Sequence, residues 1–342
     1  MSRFFSGLGR ITMLTAFLVA VVAVVVLKNA SASAALGEVI VATGQRVAAP
    51  PVDSRYISSG VGRALVTSPP EWDPAVVDEI RQLTKETGSR ALLLFRGDEL
   101  VFDYVPEGRG PFPVASISKA IKALAVARLV DEGKISFDDR LSDTIAAWRD
   151  DARRDVKVRD LLSHTSGLSS SLESMVEPPG GIPSYHLGAY DVVSGVVAAK
   201  AGIPFVQFVD EHLLKPAGGQ GLVWSRLHDG EANGASATVD DLAVLGQLVR
   251  RGGFATGGEV LRARTLDEVL RPHGQIARGF GMGWFLQHPT DNALQYDIVE
   301  ARGGSGHMVT IVPSQQALLV RIQSQGGDVG VPERFHALLR RL

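Results

Sequence analysis

The sequence predicts an α+β fold in which an antiparallel sheet is flanked by helices and interrupted by a large helical insertion. Two strand-like segments come first, helical patterns fill the middle of the chain, and three strand-like segments with a final helix close it. Such segregation of strands from helices favours an antiparallel sheet, because parallel sheets alternate the two along the chain. With 342 residues, 45% of them hydrophobic, the chain can bury the core of one large domain or two ordinary ones.

Composition excludes several classes of function. The 35 basic and 37 acidic side chains nearly cancel, so no electrostatic case exists for nucleic acid as a partner. The absence of Cys excludes disulfides, thiolate metal sites and a Cys nucleophile. The eight His residues lack metal-ligand spacing, and no phosphate-binding or dinucleotide motif occurs. We therefore expect no metal and no cofactor.

The N-terminus predicts targeting rather than fold. Residues 11–27 form an uncharged, mostly apolar run after Arg3 and Arg10. Two interpretations of residues 1–34 stay open: a signal peptide cleaved at the small residues near its end, or an anchor that stays in the membrane. Both predict an exported chain, periplasmic or extracellular. Residues 35–70 are rich in Ala, Gly, Pro and Ser and predict a linker or a poorly ordered lead-in.

The first elements of the folded domain follow from caps and turn residues. Asp73 is a candidate cap for a helix that has Pro74 at its first position and ends near Thr87. The apolar segments 91–95 and 100–104 flank a polar turn, which predicts a β-hairpin.

The remaining elements predict one domain over residues 71–342, with its sheet part at about 71–115 and 276–342 and its helical part at about 116–275. The predicted helices lie at 116–132 and near 158–163, 189–201, 204–214 and 239–251, and the predicted final elements are strands 283–287, 308–312 and 317–323 and a helix at 332–341.

The segment Ser116-Ile117-Ser118-Lys119 is the first candidate for chemistry. Residues three apart lie on one face of a helix, so the Lys119 ammonium and the Ser116 hydroxyl would be neighbours. A helix N-terminus adds a positive dipole end and free N–H groups where an oxyanion would form. Burial disfavours a charged lysine, which would make the neutral amine available as a base. The alternative is a surface helix with a capping Ser and a solvated Lys.

Further motifs carry a resemblance to a known family. Gly133–Asp139 reads GKISFDD and Leu161–Leu168 reads LLSHTSGL. With Ser116-x-x-Lys119, they resemble the serine β-lactamase and penicillin-binding-protein superfamily, specifically its class C-like serine hydrolases. Asn233–Leu242 extends the resemblance, which covers about residues 75–342. It implies a β-lactamase/transpeptidase-like fold.

The resemblance also implies catalytic roles. Ser116 would be the nucleophile, and Lys119 with Tyr185 would exchange its proton. Tyr185 matches the family's Tyr-x-Asn motif, and Tyr190 matches the start of the helix that follows. Leu187 stands where many relatives carry Asn, which argues against β-lactam hydrolysis as the main activity.

The family's third motif, Lys-Thr-Gly or His-x-Gly, aligns with Ala301-Arg302-Gly303. Neither an ammonium nor an imidazole occupies its first position. The alignment implies an oxyanion hole formed by the N–H groups of Ser116 and Gly304. Gly303 would let the strand approach the substrate closely. Arg302 is a candidate for binding a substrate carboxylate, with an outward-facing surface arginine as the alternative.

His164 is assigned to packing, because the family uses its run as a structural turn. No Gly-x-Ser-x-Gly motif supports a Ser-His-Asp hydrolase of the α/β type. The sequence thus predicts an exported serine hydrolase that forms an acyl-Ser116 intermediate from a small ester, amide or peptide. A DD-peptidase or β-lactamase and a non-catalytic cell-wall-binding protein remain the alternatives. We expect no nucleic-acid partner, and membrane contact only through an uncleaved N-terminal segment.

Overall fold

The computed structural model describes residues 69–169, 171–181, 184–185, 188–226, 232–273, 279–288, 296–324 and 330–342. The predicted signal peptide or anchor at 1–34, and all but the last two residues of the predicted linker, lie outside the described residues. Within the described residues, no single helix has the length and apolar character to cross a bilayer. One pair of helices, Ala189–Ala201 and Phe205–Ala217, meets those criteria only when joined across a bend of 77°.

The main sheet has six antiparallel strands in the order β2-β1-β11-β10-β9-β8. A three-stranded sheet, β3-β5-β4, and the hairpin β6-β7 lie in or beside the helical insertion. The strands are β1 Ser89–Arg96, β2 Glu99–Tyr104, β3 Phe112–Pro113, β4 Val223–Arg226, β5 Ala232–Ala237, β6 Phe254–Ala255, β7 Gly258–Glu259, β8 Phe285–Gln287, β9 Ile298–Gly303, β10 His307–Val312 and β11 Ala317–Gln323.

Helices fill the insertion and flank the sheet. They are α1 Pro74–Glu86, α2 Ile117–Asp131, α3 Val158–Leu162, α4 Ala189–Ala201, α5 Phe205–Val209, α6 Lys215–Ala217, α7 Val239–Arg250, α8 Ala263–Val269 and α9 Val331–Leu339, with a π-helical turn at Asp210–Leu214 between α5 and α6.

Two hydrophobic clusters cover the two faces of the main sheet. Successive strand residues point to opposite faces, so Leu92 belongs to one cluster and Leu93 to the other. The cluster that contains Leu92 packs α1 and α9 on one face, which we call the back face. The cluster that contains Leu93 packs α2, α7 and the insertion on the other, which we call the front face. Helix α2 therefore starts at the front of a rigid sheet.

The α+β class and the antiparallel sheet are confirmed. The predicted cap also forms, since Asp73 accepts a hydrogen bond from the Ala75 N–H at 2.9 Å. The sequence analysis placed Gly303 in a strand but did not predict the rest of β9, because Glu300 and Arg302 break its apolar pattern. Both side chains point to the back face and pair with each other there, which lets a charged pair lie inside a sheet.

Candidate active site

Ser116 stands at the start of α2 with an unusual backbone before it. Ala115 adopts a positive φ of 49°, a region that residues with a Cβ rarely enter. Ser116 occupies the capping position, yet its side chain makes no capping bond. Its Oγ instead lies 2.7 Å from Tyr185 Oη and accepts a hydrogen bond from Lys119 Nζ at 3.3 Å. The structure thus brings together the three residues that the sequence analysis assigned to catalysis.

Lys119 has an unusual environment for a cation. It is half-buried, and its Nζ lies 5.1 Å from the ring centroid of Tyr185 and 5.9 Å from that of Tyr190. Among the described residues, no carboxylate forms an ion pair with it. Its polar partner in the described part of the chain is the hydroxyl of Ser116.

Ser118 fixes the turn before the helix. Its Oγ donates to the Ala115 carbonyl at 2.6 Å and accepts from the Ala235 N–H at 3.0 Å. The Ala235 carbonyl in turn accepts from the Val114 N–H at 3.0 Å. Strand β5 therefore clamps both sides of Ala115 and stabilises the conformation that presents Ser116.

The Leu161–Leu168 segment binds the backbone of the segment that carries Tyr185. Three carbonyls of this run accept main-chain hydrogen bonds from the segment that carries the tyrosine: His164 from Ser184, Thr165 from Gly180, and Gly167 from Val176. The bond to Ser184 is 2.7 Å long and ends one residue before Tyr185. The motif therefore positions the phenol through its backbone.

His164 has the packing role that the sequence analysis assigned to it. Its buried ring lies 4.5 Å from the ring of Tyr185 and 5.2 Å from those of both Tyr190 and Phe280, measured between centroids. Its φ of +61° turns the chain sharply at this point.

A second lysine on α2, missed by the sequence analysis, fastens α4 to the site. Lys122 is buried and donates to the Tyr190 carbonyl at 2.9 Å and to Asp191 Oδ1 at 3.1 Å. These contacts tie the first turn of α4 to α2. The available signal was a charged residue on an otherwise apolar helix, one turn after Lys119.

The turn between β9 and β10 approaches the residues just before Ser116. A Cβ added to Gly303 would lie 2.6 Å from the Val114 carbonyl, so only glycine fits there. A Cβ added to Gly304 would meet nothing within 4 Å. Among the described residues, neither the Ser116 N–H nor the Gly304 N–H donates a main-chain hydrogen bond. Both stay available for a ligand oxygen.

Comparison with known proteins decides the family. The family model described as Beta-lactamase matches residues 78–340, most of the chain. The chain belongs to the beta-lactamase family. The chain has the β-lactamase/transpeptidase-like fold.

Individual relatives are more distant. A protein described as "Putative penicillin-binding protein PbpX" from Bacillus subtilis (strain 168) is 28% identical over 123 residues, 31% of this chain and 31% of that protein. The chain thus spans about a third of this curated relative. A penicillin-binding protein from Bacillus halodurans is 21% identical, with a TM-score of 0.62 over 76% of this chain and 98% of that one. EstCE1, a hydrolase with promiscuous acyltransferase activity, is 19% identical, with a TM-score of 0.61 over 78% of this chain and 97% of that one.

Arg302 requires a correction. Its guanidinium donates to Glu300 Oε2 at 3.0 Å and to Glu333 Oε1 at 3.2 Å. Burial disfavours the charge on Glu300, but Arg302 and His336 outweigh that cost and hold the pKa of Glu300 below its ordinary value. The arginine therefore lies on the back face, committed to carboxylates of the protein. The predicted role in binding a substrate carboxylate is not supported.

Ala301, the first position of the family's third motif, carries no charge, and the nearby His307 is not a cation either. Ala301 is buried in the front-face core. His307 accepts a hydrogen bond from the Gln323 N–H at its Nδ1, and burial, with the charges of Arg321 and Arg90, lowers its pKa to about 4. Its imidazole is thus neutral at neutral pH. Leu187, the other departure, lies outside the described residues.

Proposed function

We propose that the chain hydrolyses ester or small amide bonds through a covalent acyl-Ser116 intermediate. The observation that carries the proposal is the double hydrogen bonding of Ser116 Oγ by Tyr185 Oη and Lys119 Nζ. A serine hydroxyl is a weak nucleophile unless an adjacent base takes its proton. Lys119, which pairs with no carboxylate among the described residues, and the Tyr185 phenol supply that base.

The proposed reaction has two halves. Ser116 Oγ attacks the carbonyl carbon while its proton passes to the Lys119–Tyr185 pair. The bond to the leaving group then breaks, and the pair returns the proton to the departing oxygen or nitrogen. In the second half water attacks the acyl carbon while one of its protons passes to the same pair. The bond between that carbon and Ser116 Oγ then breaks, the pair returns the proton to Oγ, and the acid product leaves.

An oxyanion forms in each half, and the N–H groups of Ser116 and Gly304 are proposed to stabilise it. The tight contact of Gly303 with the Val114 carbonyl holds the glycine turn beside the nucleophile, and the space at Gly304 is open. Two fixed main-chain donors directed at the developing charge lower the barrier without needing to reorganise.

The charges around the site favour a substrate without an essential carboxylate. Ala301 replaces the cation of the family's third motif, and Arg302 turns to the back face. β-Lactams and peptidoglycan peptides carry a carboxylate that needs a positive partner. We therefore propose esters and small amides as the substrate class, and export on the strength of residues 11–27.

The test is intact-mass analysis of the full-length chain after reaction with a fluorophosphonate. We expect one adduct on the wild type and none on Ser116→Ala. Ser314→Ala is the matched control, because it removes an exposed hydroxyl in the turn between β10 and β11 and leaves Ser116 and its contacts in place. An adduct that survives in Ser116→Ala would contradict the proposal.

Turnover then separates the alternatives. We expect a p-nitrophenyl ester to be hydrolysed far faster than a chromogenic cephalosporin. The reverse order would favour the β-lactamase or DD-peptidase alternative. A folded wild type that forms no adduct and turns over neither substrate would favour the binding-protein alternative.

A further inference from the structure

The turn Gly304–Gly306 has a conformation that its serine disfavours. Ser305 has a φ of 64° and a ψ of 9°, and Gly306 has a φ of 88°, so two successive residues are left-handed. A serine is strained in this left-handed conformation, because its Cβ crowds the backbone. Other contacts must therefore select this shape, and with it the direction of the Gly304 N–H.

Strand β11 supplies those contacts. Arg321 is completely buried, and its Nη1 donates to the Gly306 carbonyl at 2.8 Å. A Cβ added to Gly306 would lie 3.0 Å from the same nitrogen, so the guanidinium lies close against the turn. Two residues along β11, the Gln323 N–H donates to His307 Nδ1 at 3.1 Å. One strand thus holds the turn at its last residue and at the residue that follows it.

The other partners of the guanidinium are neutral. Its Nε donates to Ser89 Oγ at 2.8 Å, its Nη2 donates to Thr87 Oγ1 at 3.1 Å and to Gln323 Oε1, and it lies 5.3 Å from the ring centroid of Phe335. Among the described residues, no carboxylate forms an ion pair with it. Burial lowers the pKa of Arg321 to about 10, which leaves it charged at neutral pH.

Comparison with a second buried arginine shows why the neutral partners of Arg321 are informative. Arg250 is equally buried, but it forms an ion pair with Asp98 and lies on α7, away from the turn. A buried charge without a counter-ion lowers stability unless its hydrogen bonds compensate. Arg321 has only neutral hydrogen-bond partners among the described residues, and one of them is the Gly306 carbonyl of the turn.

We propose that Arg321 is a positioning residue for the oxyanion hole: its buried guanidinium keeps Gly304–Gly306 in the shape that directs the Gly304 N–H at the reacting carbonyl. The inference rests on the proposed function. It adds a residue on the back face, outside the family motifs in the sequence, whose effect on the reaction passes through the Gly306 carbonyl.

The test compares Arg321→Gln with Arg250→Gln, each as the full-length chain. Both lose a buried guanidinium, so both are expected to be less stable. Only Arg321→Gln is expected to lower kcat for a p-nitrophenyl ester, by about 30- to 300-fold, with KM changed less than about threefold. Arg321→Lys, which keeps a donor for the Gly306 carbonyl, is expected to recover part of that loss.

A second readout isolates the oxyanion hole from general loss of structure. The ratio of kcat/KM for the ester to that for its thionoester measures how well the donors fit an oxyanion, because sulfur is larger and a weaker acceptor. We expect this ratio to fall about tenfold or more in Arg321→Gln and to stay at the wild-type value in Arg250→Gln.

If Arg321→Gln does not fold, Ser89→Ala is measured in its place. It removes a contact of the guanidinium outside the turn and is expected to lower the ratio about threefold. A folded Arg321→Gln, or failing that a Ser89→Ala, with the wild-type kcat and ratio would overturn the inference. A wild type that forms no adduct at Ser116 would instead overturn the proposed function, and the inference with it.

Discussion

Helix α2 carries two lysines, one turn apart, whose burial and polar partners differ. In the first turn of α2, Lys119 is half-buried, donates to the Ser116 hydroxyl and forms no ion pair with a described carboxylate. In the second, Lys122 is buried and pairs with Asp191 and the Tyr190 carbonyl. The two side chains are three residues apart, so helix position alone does not distinguish them.

The difference supports the proposed role of Lys119 in proton transfer. An ion pair with a carboxylate stabilises the charged amine and keeps its proton in place. Lys119 has no such carboxylate partner among the described residues and contacts the Ser116 hydroxyl instead. We therefore assign the proposed proton transfer to Lys119 and a structural role to Lys122.

The largest expected effect is that of Lys119→Met on turnover. If Lys119 takes the serine proton as proposed, its loss should lower kcat/KM for a p-nitrophenyl ester by about 10³- to 10⁴-fold. The free energy of unfolding should change by less than about 1 kcal/mol, because the side chain is half-buried and has no ion pair to lose. Ester kinetics and urea unfolding of one preparation measure both. A variant with more than a tenth of wild-type turnover would remove Lys119 from the mechanism.

Tyr185→Phe sharpens the same assignment. It removes the hydroxyl 2.7 Å from Ser116 Oγ but keeps the ring that packs on His164. We expect kcat to fall about 10²- to 10³-fold while the protein stays folded. Wild-type rates would move the proton-transfer role elsewhere. Tyr104→Phe, which removes a phenol on β2, is the matched control and should keep wild-type turnover.

Lys122→Met should show the opposite pattern. Removing one partner of a buried ion pair leaves Asp191 unpaired, so the free energy of unfolding should fall by about 2–4 kcal/mol. The folded fraction should keep turnover within about tenfold of the wild type. The double variant Lys122→Met/Asp191→Asn should recover part of the stability. A larger loss of kcat than in Lys119→Met would reverse the comparison.

The smallest effect is expected at Gly283, which packs on the first turn. It has a φ of +77°, and a Cβ added to it would lie 2.9 Å from the Lys119 carbonyl. Gly283→Ala should cost about 1–2 kcal/mol of unfolding free energy and lower kcat a few-fold, since it strains the backbone and displaces Lys119. The control is Gly257→Ala, where a Cβ meets nothing within 4 Å and no cost is expected. Equal stabilities would contradict the packing argument.

The sequence was most informative where function is local. Ser116 and Lys119 lie one helical turn apart, so their spacing predicted a contact that the structure contains. Tyr185 is 69 residues from Ser116 in the chain, and only the family resemblance identified it. The α+β class followed from the order of strands and helices, which needs no long-range information.

The failures have a common physical origin. Arg302 was a candidate for binding a substrate carboxylate, with a surface arginine as the alternative, but its side chain points to the back face, where Glu300 holds it. Most of strand β9 was not predicted, because that same pair interrupts its apolar pattern. Lys122 and Arg321 were missed because their importance depends on partners distant in the chain, Asp191 and Gly306. Sequence patterns record spacing, whereas side-chain pairing across elements depends on the fold.

The most direct test of the comparison is the rate at which a fluorophosphonate labels Ser116 in Lys119→Met and in Lys122→Met, measured by intact mass on the folded fraction. We predict labelling at least about 100-fold slower than wild type in Lys119→Met and within about tenfold of wild type in Lys122→Met. Equal rates in the two variants, or the slower rate in Lys122→Met, would contradict the assignment of the chemistry to Lys119.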